Sequence, residues 1–238
     1  MQQRGQSEPA GSFQGYFLLD NRETAGKLLA RRLKTLRLSK PFVLAIPRGG
    51  IVIGCEIAEV LECGLDIVTP VKLHAPDEAE LAIGAVMNDG STFLNEYVID
   101  ARMVPGSYVK SEKELQMREA GRRMRSYRDA RPYPKLKGMD IILVDDGIAT
   151  GATMMAAVGW ARAQDAASIT IAVPVIPNDM LQDIGAAAEN LVYLAAPEYF
   201  AAIGQFYREF GQVGDSEAGG MLDRYWNRGD GKRAADLD

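Results

Sequence analysis

A chain of 238 residues, of which 47% are hydrophobic and 25% charged, has ordinary globular composition and is long enough for one sizeable core. Its longest apolar runs fall well short of the roughly 18 residues that a membrane-spanning helix needs. A net charge of −5 disfavours a general nucleic-acid binder. We therefore expect one folded domain at 16–228, with flexible tails at 1–15 and 229–238.

The first half of the chain alternates helical and extended patterns. Leucine and alanine recur at helical spacing after a capping box of Asp20 and Glu23, and short apolar runs bounded by proline or glycine predict buried strands. The predicted elements are a helix at 21–38, a strand at 42–46, a helix at 51–62, a strand at 65–71 and a hairpin across 81–95 that turns at Asn88-Asp89-Gly90.

The second half opens with a polar stretch at 107–129, which we interpret as a long helix or a mobile segment, and a linker at 131–138. The remaining predicted elements are a strand at 139–145, a helix at 153–164, a strand at 168–176, a helix at 178–189 capped by Asn178, a strand at 190–196, and short helices at 198–210 and 217–228. Buried strands alternating with helices predict an α/β, doubly wound fold with a mainly parallel sheet and helices on both faces.

Cysteine usage favours a reducing compartment. If Cys55 and Cys63 share the predicted helix at 51–62 and its end, eight residues at about 1.5 Å rise place them ~12 Å apart, whereas a disulfide tolerates only about 7 Å between Cα atoms. We expect reduced core residues in a cytoplasmic protein. Residues 1–15, which lack the apolar core of a secretion signal, agree with this expectation.

In a doubly wound fold, ligands bind beyond the carboxyl ends of the strands, near the point where strand order reverses. That rule selects 47–50, Lys72 and 145–153. The last of these belongs to ILVDDGIATGATM at 142–154, where a buried strand delivers two acids and then a small polar loop. Backbone N–H groups of such a loop, followed by a helix N-terminus and threonine hydroxyls, form an anion site. The patterns GxxxxGK[ST] and GxGxxG are absent, which disfavours a nucleoside triphosphate or a dinucleotide.

Asp145 and Asp146 would repel a phosphate bound beside them, so they need a different partner. Carboxylates accept hydrogen bonds well from paired hydroxyls such as those of a ribose. Taken singly, the acids could be a helix cap with a surface charge, and the loop could be an ordinary turn. Taken together between a strand and a helix, they indicate a bound ribose 5-phosphate.

These residues carry a family resemblance. ILVDDGIATGATM looks like the phosphoribosyl-pyrophosphate (PRPP) signature of the type I phosphoribosyltransferases, and the resemblance spans roughly 17–228, most closely in a branch of uncharacterised members. It implies that Asp145 and Asp146 hold the ribose hydroxyls. It also implies that the loop binds the 5-phosphate through Gly147, Ala149, Thr150, Gly151, Ala152 and Thr153.

PRPP also carries a pyrophosphate and is bound with Mg²⁺, so a second anion site is needed. Arg48, Gly49 and Gly50 follow the first strand and combine exposed backbone N–H groups with a guanidinium; the resemblance implies that they form the pyrophosphate loop. Lys72 is similar in placement to a pyrophosphate-contacting lysine of the family, although Val71 stands where an arginine is common. The resemblance implies catalytic roles for Asp145, Asp146, Arg48 and Lys72. The two acids would contact Mg²⁺ directly or only through the ribose hydroxyls.

Three further features keep alternatives open. Residues 110–131 carry eight basic against four acidic side chains, which suits a solvated face, a subunit contact or a cover over pyrophosphate. His74, the single histidine, is expected in an exposed loop without a catalytic role. The family reads its acceptor with a hood. Candidates for it are Tyr199, Phe200, Phe206, Tyr207 and Phe210, with Phe13 to Phe17, although such aromatic residues are also typical of a core.

The resemblance implies a Mg²⁺-dependent phosphoribosyltransferase that moves the phosphoribosyl group from PRPP to a nitrogenous acceptor, as a homodimer without nucleic-acid or membrane partners. Ala149 replaces the aspartate usual in enzymes for 6-oxopurines, which disfavours hypoxanthine and guanine. One alternative is a non-catalytic regulator that binds PRPP or ribose phosphate on the same fold. Another is a response-regulator-like phosphate binder, which the threonine-glycine loop disfavours.

Overall fold

Helices and strands alternate along the chain in a computed structural model that describes residues 17–128 and 131–228. The predicted tails at 1–15 and 229–238 lie outside the described residues. Elements of the first half are α1 (Arg22–Leu33), β1 (Pro41–Ala45), α2 (Gly49–Leu61), β2 (Gly64–Ile67), β3 (Val71–Ala75), β4 (Glu78–Val86), β5 (Thr92–Leu94), α3 (Glu96–Ala101) and α4 (Gly106–Arg128). Those of the second half are β6 (Asp140–Val144), α5 (Ala152–Ala163), β7 (Ser168–Val175), α6 (Leu181–Ala187), β8 (Asn190–Ala195) and α7 (Asp215–Arg228).

A five-stranded parallel sheet with the order β2-β1-β6-β7-β8 forms the centre of the molecule. Alternate side chains of each strand enter different cores, because successive residues of a strand point to opposite faces. Val43 and Ala45 pack with α1, α2 and α7, whereas Phe42 and Leu44 pack with α5 and α6. Helices therefore cover both faces, and the predicted doubly wound α/β fold is confirmed.

The strand order reverses between β1 and β6. From β1 the chain moves outward to β2 on one side, and it then returns to β6 and continues outward through β7 and β8 on the other. The carboxyl ends of β1 and β6 lie next to each other because their registers match from Pro41 opposite Asp140 to Ala45 opposite Val144. The loops at 47–50 and 145–151 are thus neighbours at the ligand-binding edge of the sheet.

The strand predicted at 65–71 is wrong in its second half. β2 ends at Ile67, and Val71 and Lys72 belong to β3 in a separate antiparallel sheet with the order β3-β4-β5. Pro70 explains the break, since proline has no N–H to continue the ladder. The hairpin predicted at 81–95 is confirmed as β4 and β5, and the N–H of Met87 bonds the carbonyl of Ser91 across its turn.

Two helix ends differ from prediction. Asn21, rather than Asp20, caps α1 by accepting a hydrogen bond from the Thr24 N–H at 2.9 Å, and Asp20 pairs with Arg208 instead. α1 also ends at Leu33, not at residue 38. Leu36 and Leu38 still pack against the core from a turn, so their apolar spacing extended the predicted helix too far.

Two later predictions are corrected as well. Asn178 opens a short 3₁₀ turn, Asn178–Met180, before α6 and does not cap a helix. Residues 198–210 contain only the 3₁₀ turn Ile203–Phe206, because the backbone there pairs with the start of the chain: the N–H of Leu19 bonds Phe206, and that of Arg208 bonds Leu19, both at 2.8 Å. The helix predicted at 217–228 is confirmed as the main part of α7.

The polar segment predicted at 107–129 is a helix, α4. Its carboxyl end is fixed by an ion pair between Arg128 and Asp66 of β2, and its middle by the Thr69 hydroxyl, which donates to the carbonyl of Ala120 at 3.2 Å. Both cysteines are free thiols, as predicted, with Cys63 buried and Cys55 half-buried. None of the helices within the described residues is long and apolar enough to cross a membrane.

Candidate functional site

A cavity of about 550 Å³ opens at the carboxyl ends of β1 and β6. Most of the predicted site residues line it: Arg48, Gly49, Lys72, Asp145, Asp146, Gly147, Ala149, Thr150, Gly151 and Thr153. Gly50 and Ala152 lie behind the wall as buried backbone. The structure therefore brings together side chains and loops that are up to about a hundred positions apart in the sequence.

The acid pair follows β6 and lies at this cavity. The Asp145 carboxylate accepts a hydrogen bond from the Asp146 N–H at 2.8 Å, and the Asp146 carboxylate accepts one from Nε of Arg22, also at 2.8 Å. Burial, and then the charge of Asp146, raise the pKa of Asp145 well above its usual range, while Lys72 and Arg22 oppose that rise. Two carboxylates thus share one wall, where they can accept hydrogen bonds from a diol.

The loop after the acids ends in the N-terminus of α5. Gly151 has φ +73°, a conformation that suits glycine, and a Cβ there would lie 2.7 Å from Cε of Met180. Ala149 and Thr150 are exposed. Among the described residues, no hydrogen bond uses the N–H groups of Ala149, Thr150 or Gly151. The loop therefore presents free donors beside a helix N-terminus, which is the arrangement that binds an anion.

The loop after β1 approaches the acids closely. α2 begins at Gly49, and a Cβ on that residue would lie 1.9 Å from Oδ2 of Asp146, so only glycine fits. The Pro47–Arg48 peptide bond is cis. The Arg48 guanidinium is partly exposed and lies 3.8 Å from the Asp215 carboxylate of α7. The second predicted anion site therefore adjoins the first.

β3 contributes Lys72 and His74 to the opposite wall of the cavity. Lys72 is not at the end of a central strand, as predicted, but it reaches the same cavity from the small antiparallel sheet. His74 is not in an exposed loop: it is half-buried in β3, and its backbone N–H donates to Oε1 of Glu112 at 3.1 Å. Both corrections follow from the break at Pro70.

Residues 18–189 match the phosphoribosyl transferase domain family. The chain belongs to the phosphoribosyltransferase family.

Two Mycobacterium tuberculosis proteins, from strains CDC 1551 and H37Rv and each named as a "Putative phosphoribosyl transferase", are 39% identical to this chain over 207 residues. That match covers 87% of this chain and 47% of each relative, so the chain spans about half the length of these relatives. The crystal structure of TT1426 from Thermus thermophilus is 38% identical, with a TM-score of 0.75, and covers 87% of this chain and 99% of that one.

The family match ends before part of the cavity wall. Ile203, Phe210, Gly211, Gln212 and Val213 also line the cavity, and we call residues 203–213 the hood segment. Of the predicted hood aromatics, only Phe210 lines the cavity; Phe206 and Tyr207 are core residues, and Tyr199 is 88% exposed. Phe17 is exposed at the surface, and Phe13 lies outside the described residues.

Sequence reasoning missed two cationic residues of this phosphoribosyltransferase cavity, Arg22 and Arg123. Arg22 is the first residue of α1, and its side chain is only 11% exposed. Arg123 is one of eight basic residues between 110 and 131, and nothing in the sequence distinguishes it from the others. A helical projection cannot show which side chain faces a cavity that other elements build.

The donor set suits Mg²⁺ only in company with a ligand. The described residues contain no group of three or more histidine, cysteine, aspartate or glutamate side chains placed to hold a metal ion. Asp145 and Asp146 form a pair, and Mg²⁺ is commonly held by one or two carboxylates together with substrate phosphates. The residues therefore fit an ion that arrives with a phosphorylated substrate.

Proposed function

We propose that this protein moves the 5-phosphoribosyl group from PRPP to a nitrogenous acceptor, with release of pyrophosphate. The observation that supports this function is that the acid pair, the amide-rich loop and two cationic walls surround one cavity. PRPP needs each of these: acceptors for a diol, donors for a terminal phosphate and cations for a pyrophosphate.

In this proposal each part of PRPP has its own place. Asp145 and Asp146 accept hydrogen bonds from the ribose 2′ and 3′ hydroxyls. The N–H groups and hydroxyls of 147–153 bind the 5-phosphate. Arg48 and Lys72, with the backbone at Gly49 and Gly50, bind the pyrophosphate. Mg²⁺ enters as part of the substrate, where it neutralises phosphate charge.

The reaction is a substitution at C1 of the ribose. The lone pair of the acceptor nitrogen forms the new bond as the C1–O bond breaks, and the electron pair of that bond leaves with pyrophosphate. The acceptor's N–H proton passes to water. Positive charge develops on the ribose near Asp145 and Asp146, while negative charge grows on the leaving group near Arg48 and Lys72, so the chain stabilises both by fixed electrostatics.

The acceptor is expected to be a nitrogenous base other than a 6-oxopurine, because Ala149 stands where such enzymes carry an aspartate. The hood residues at the cavity, Ile203 and 210–213, carry no acidic side chain. We further propose that the protein acts in the cytoplasm as a homodimer without a nucleic-acid partner. Its free cysteines agree with a reducing compartment.

A two-stage experiment tests this function. PRPP with Mg²⁺ should raise the melting temperature in a thermal-shift assay, since a ligand at 100 times its Kd stabilises the fold by about 2.7 kcal/mol. Pyrophosphate release should then appear with one member of a panel of nitrogenous bases. PRPP binding without release from any base would favour the non-catalytic regulator, and the lack of any shift would overturn the proposal.

A further inference from the structure

Arg22 contacts the acid pair and the hood segment with a single guanidinium. Its Nε donates to Oδ2 of Asp146 at 2.8 Å, and its Nη1 donates to the carbonyl of Gly211 at 2.8 Å. Its Cζ lies 3.9 Å from the centroid of the Phe210 ring. The side chains of Arg22 and Asp146 are only 11% and 14% exposed, so solvent screens this ion pair weakly.

This contact leaves part of the Asp146 carboxylate available to a ligand. Among the described residues, Arg22 is the only side chain that donates to this carboxylate, and it uses Oδ2 alone. An ionised carboxylate offers about four acceptor positions. Arg22 therefore fixes one oxygen of Asp146 and leaves the other free for a hydroxyl.

The surrounding residues allow Asp146 little freedom. Gly49 lies so close to Oδ2 of Asp146 that a methyl group would not fit between them. The Tyr207 hydroxyl donates to the backbone carbonyl of Asp146 at 2.7 Å, and the rings of Tyr207 and Phe210 lie 4.9 Å apart. The hood segment thus contacts Asp146 both at its backbone and, through Arg22, at its carboxylate.

We propose that Arg22 is a positioning residue of the ribose site, which holds the Asp146 carboxylate toward the cavity and joins it to the hood segment. This inference rests on the proposed function, because it assigns the ribose diol to Asp146. A positioned carboxylate spends less free energy on ordering when a ligand binds, so loss of Arg22 should weaken ribose binding through Asp146.

Two probes separate the ribose site from the pyrophosphate site. Affinities for ribose 5-phosphate, and for pyrophosphate with Mg²⁺, are measured by calorimetry on the full chain. Arg22→Ala should weaken ribose 5-phosphate binding about 10- to 100-fold, the range for losing a charged hydrogen bond, and leave pyrophosphate binding within about twofold. Arg22→Lys, which keeps the charge but has a single donor group, should weaken it less.

Arg208→Ala is the matched control. Arg208 also joins the start of the chain to the hood segment, through an ion pair with Asp20, but both side chains are more than half exposed and neither lines the cavity. Its loss should change neither affinity. A weakening equal to that of Arg22→Ala would show that general loosening of the hood, not Asp146, explains the effect.

A double-mutant cycle decides whether Arg22 acts through Asp146. In the Asp146→Asn background, Arg22→Ala should weaken ribose 5-phosphate binding by less than about twofold further, whereas independent effects would add in full. Full additivity, or wild-type affinity of the single variant, overturns the inference while the proposed function stands. Failure of the wild-type protein to bind ribose 5-phosphate and PRPP overturns the proposed function itself. If Arg22→Ala does not fold, the same cycle with Arg22→Lys decides.

Discussion

Asp145 illustrates, at the scale of one residue, how a ligand site is built at the expense of the ligand-free fold. Burial and the adjacent Asp146 raise its pKa. A carboxyl whose folded pKa exceeds its unfolded value stabilises the fold while it is protonated, and that contribution is lost as the pH rises through the folded pKa. The ionised acid that a ribose diol needs is therefore a destabilising feature of the free protein at neutral pH.

Asp145→Asn should accordingly raise the melting temperature of the ligand-free protein at neutral pH, and the difference should shrink toward acidic pH, where Asp145 itself is protonated. Pyrophosphate release should fall about 100-fold or more, as for other groups that face developing charge. Thermal unfolding between about pH 4.5 and 8 measures the first effect, and an enzymatic pyrophosphate assay the second. A melting temperature below that of the wild type at every pH would contradict this reading of Asp145.

Asp140, at the other end of β6, supplies a control of opposite sign. Burial alone would raise its pKa, but hydrogen bonds from the Ser168 hydroxyl and the backbone N–H groups of Lys40 and Ser39 lower it. Its ionised form stabilises the fold above its unfolded pKa, and this is lost as the pH falls through the folded value. Asp140→Asn should therefore lower the melting temperature most at neutral pH and leave activity intact.

At the scale of an element, α4 shows how one helix face is divided between solvent and site. Arg122 and Arg123 both bond Glu119, at 2.7 and 2.8 Å, and together they lower its pKa to about 2. Both arginine side chains are about half exposed, but only Arg123 lines the cavity. The sequence predicted the basic character of this helix, and only packing against β3 and α7 decided which arginine faces the cavity.

We expect Arg123→Ala to weaken the binding of PRPP and of pyrophosphate with Mg²⁺ about three- to tenfold, because a partly exposed cation at the pyrophosphate wall is lost. Its affinity for ribose 5-phosphate should not change, which is the reverse of the pattern expected for Arg22→Ala. Calorimetry on both probes measures this. Arg122→Ala has the same ion-pair partner and is the control, and an equal effect of the two variants would assign the change to the general charge of α4.

At the scale of the whole molecule, the cavity depends on α4 being fixed to the edge of the central sheet. Arg128, in the last turn of α4, pairs with the buried Asp66 of β2, and its guanidinium lies 4.2 Å from the centroid of the Tyr133 ring. Tyr133 donates its hydroxyl to the carbonyl of Ile67 at 2.5 Å. The helix and the stretch that follows it are thereby fixed to the edge strand of the sheet.

Arg128→Ala should lower the free energy of unfolding by about 3–5 kcal/mol, since it leaves Asp66 buried without a cationic partner. Burial already raises the pKa of Asp66, and Arg128 opposes that rise. Without Arg128 the folded pKa rises further, so the deficit should be largest at neutral pH and shrink as Asp66 becomes protonated. Urea unfolding at several pH values measures it; a deficit independent of pH would contradict an electrostatic origin.

The sequence by itself determined the order of the buried strands, the doubly wound class, and the two loops that follow β1 and β6. These depend on local periodicity and on glycine and proline chemistry, which act within a few residues. It also determined that Asp145 and Asp146 stand beside an anion-binding loop, because strand, acids and loop are contiguous in the chain.

Tertiary structure alone decided which distant side chains complete the cavity. Lys72 and His74 reach it from a second sheet that begins because Pro70 ends the first. Arg22 meets Asp146 from 124 positions away, and the hood segment takes its path from backbone pairing with Leu19 rather than from a helix of its own. Such contacts depend on the packing of several elements at once, and no local pattern encodes them.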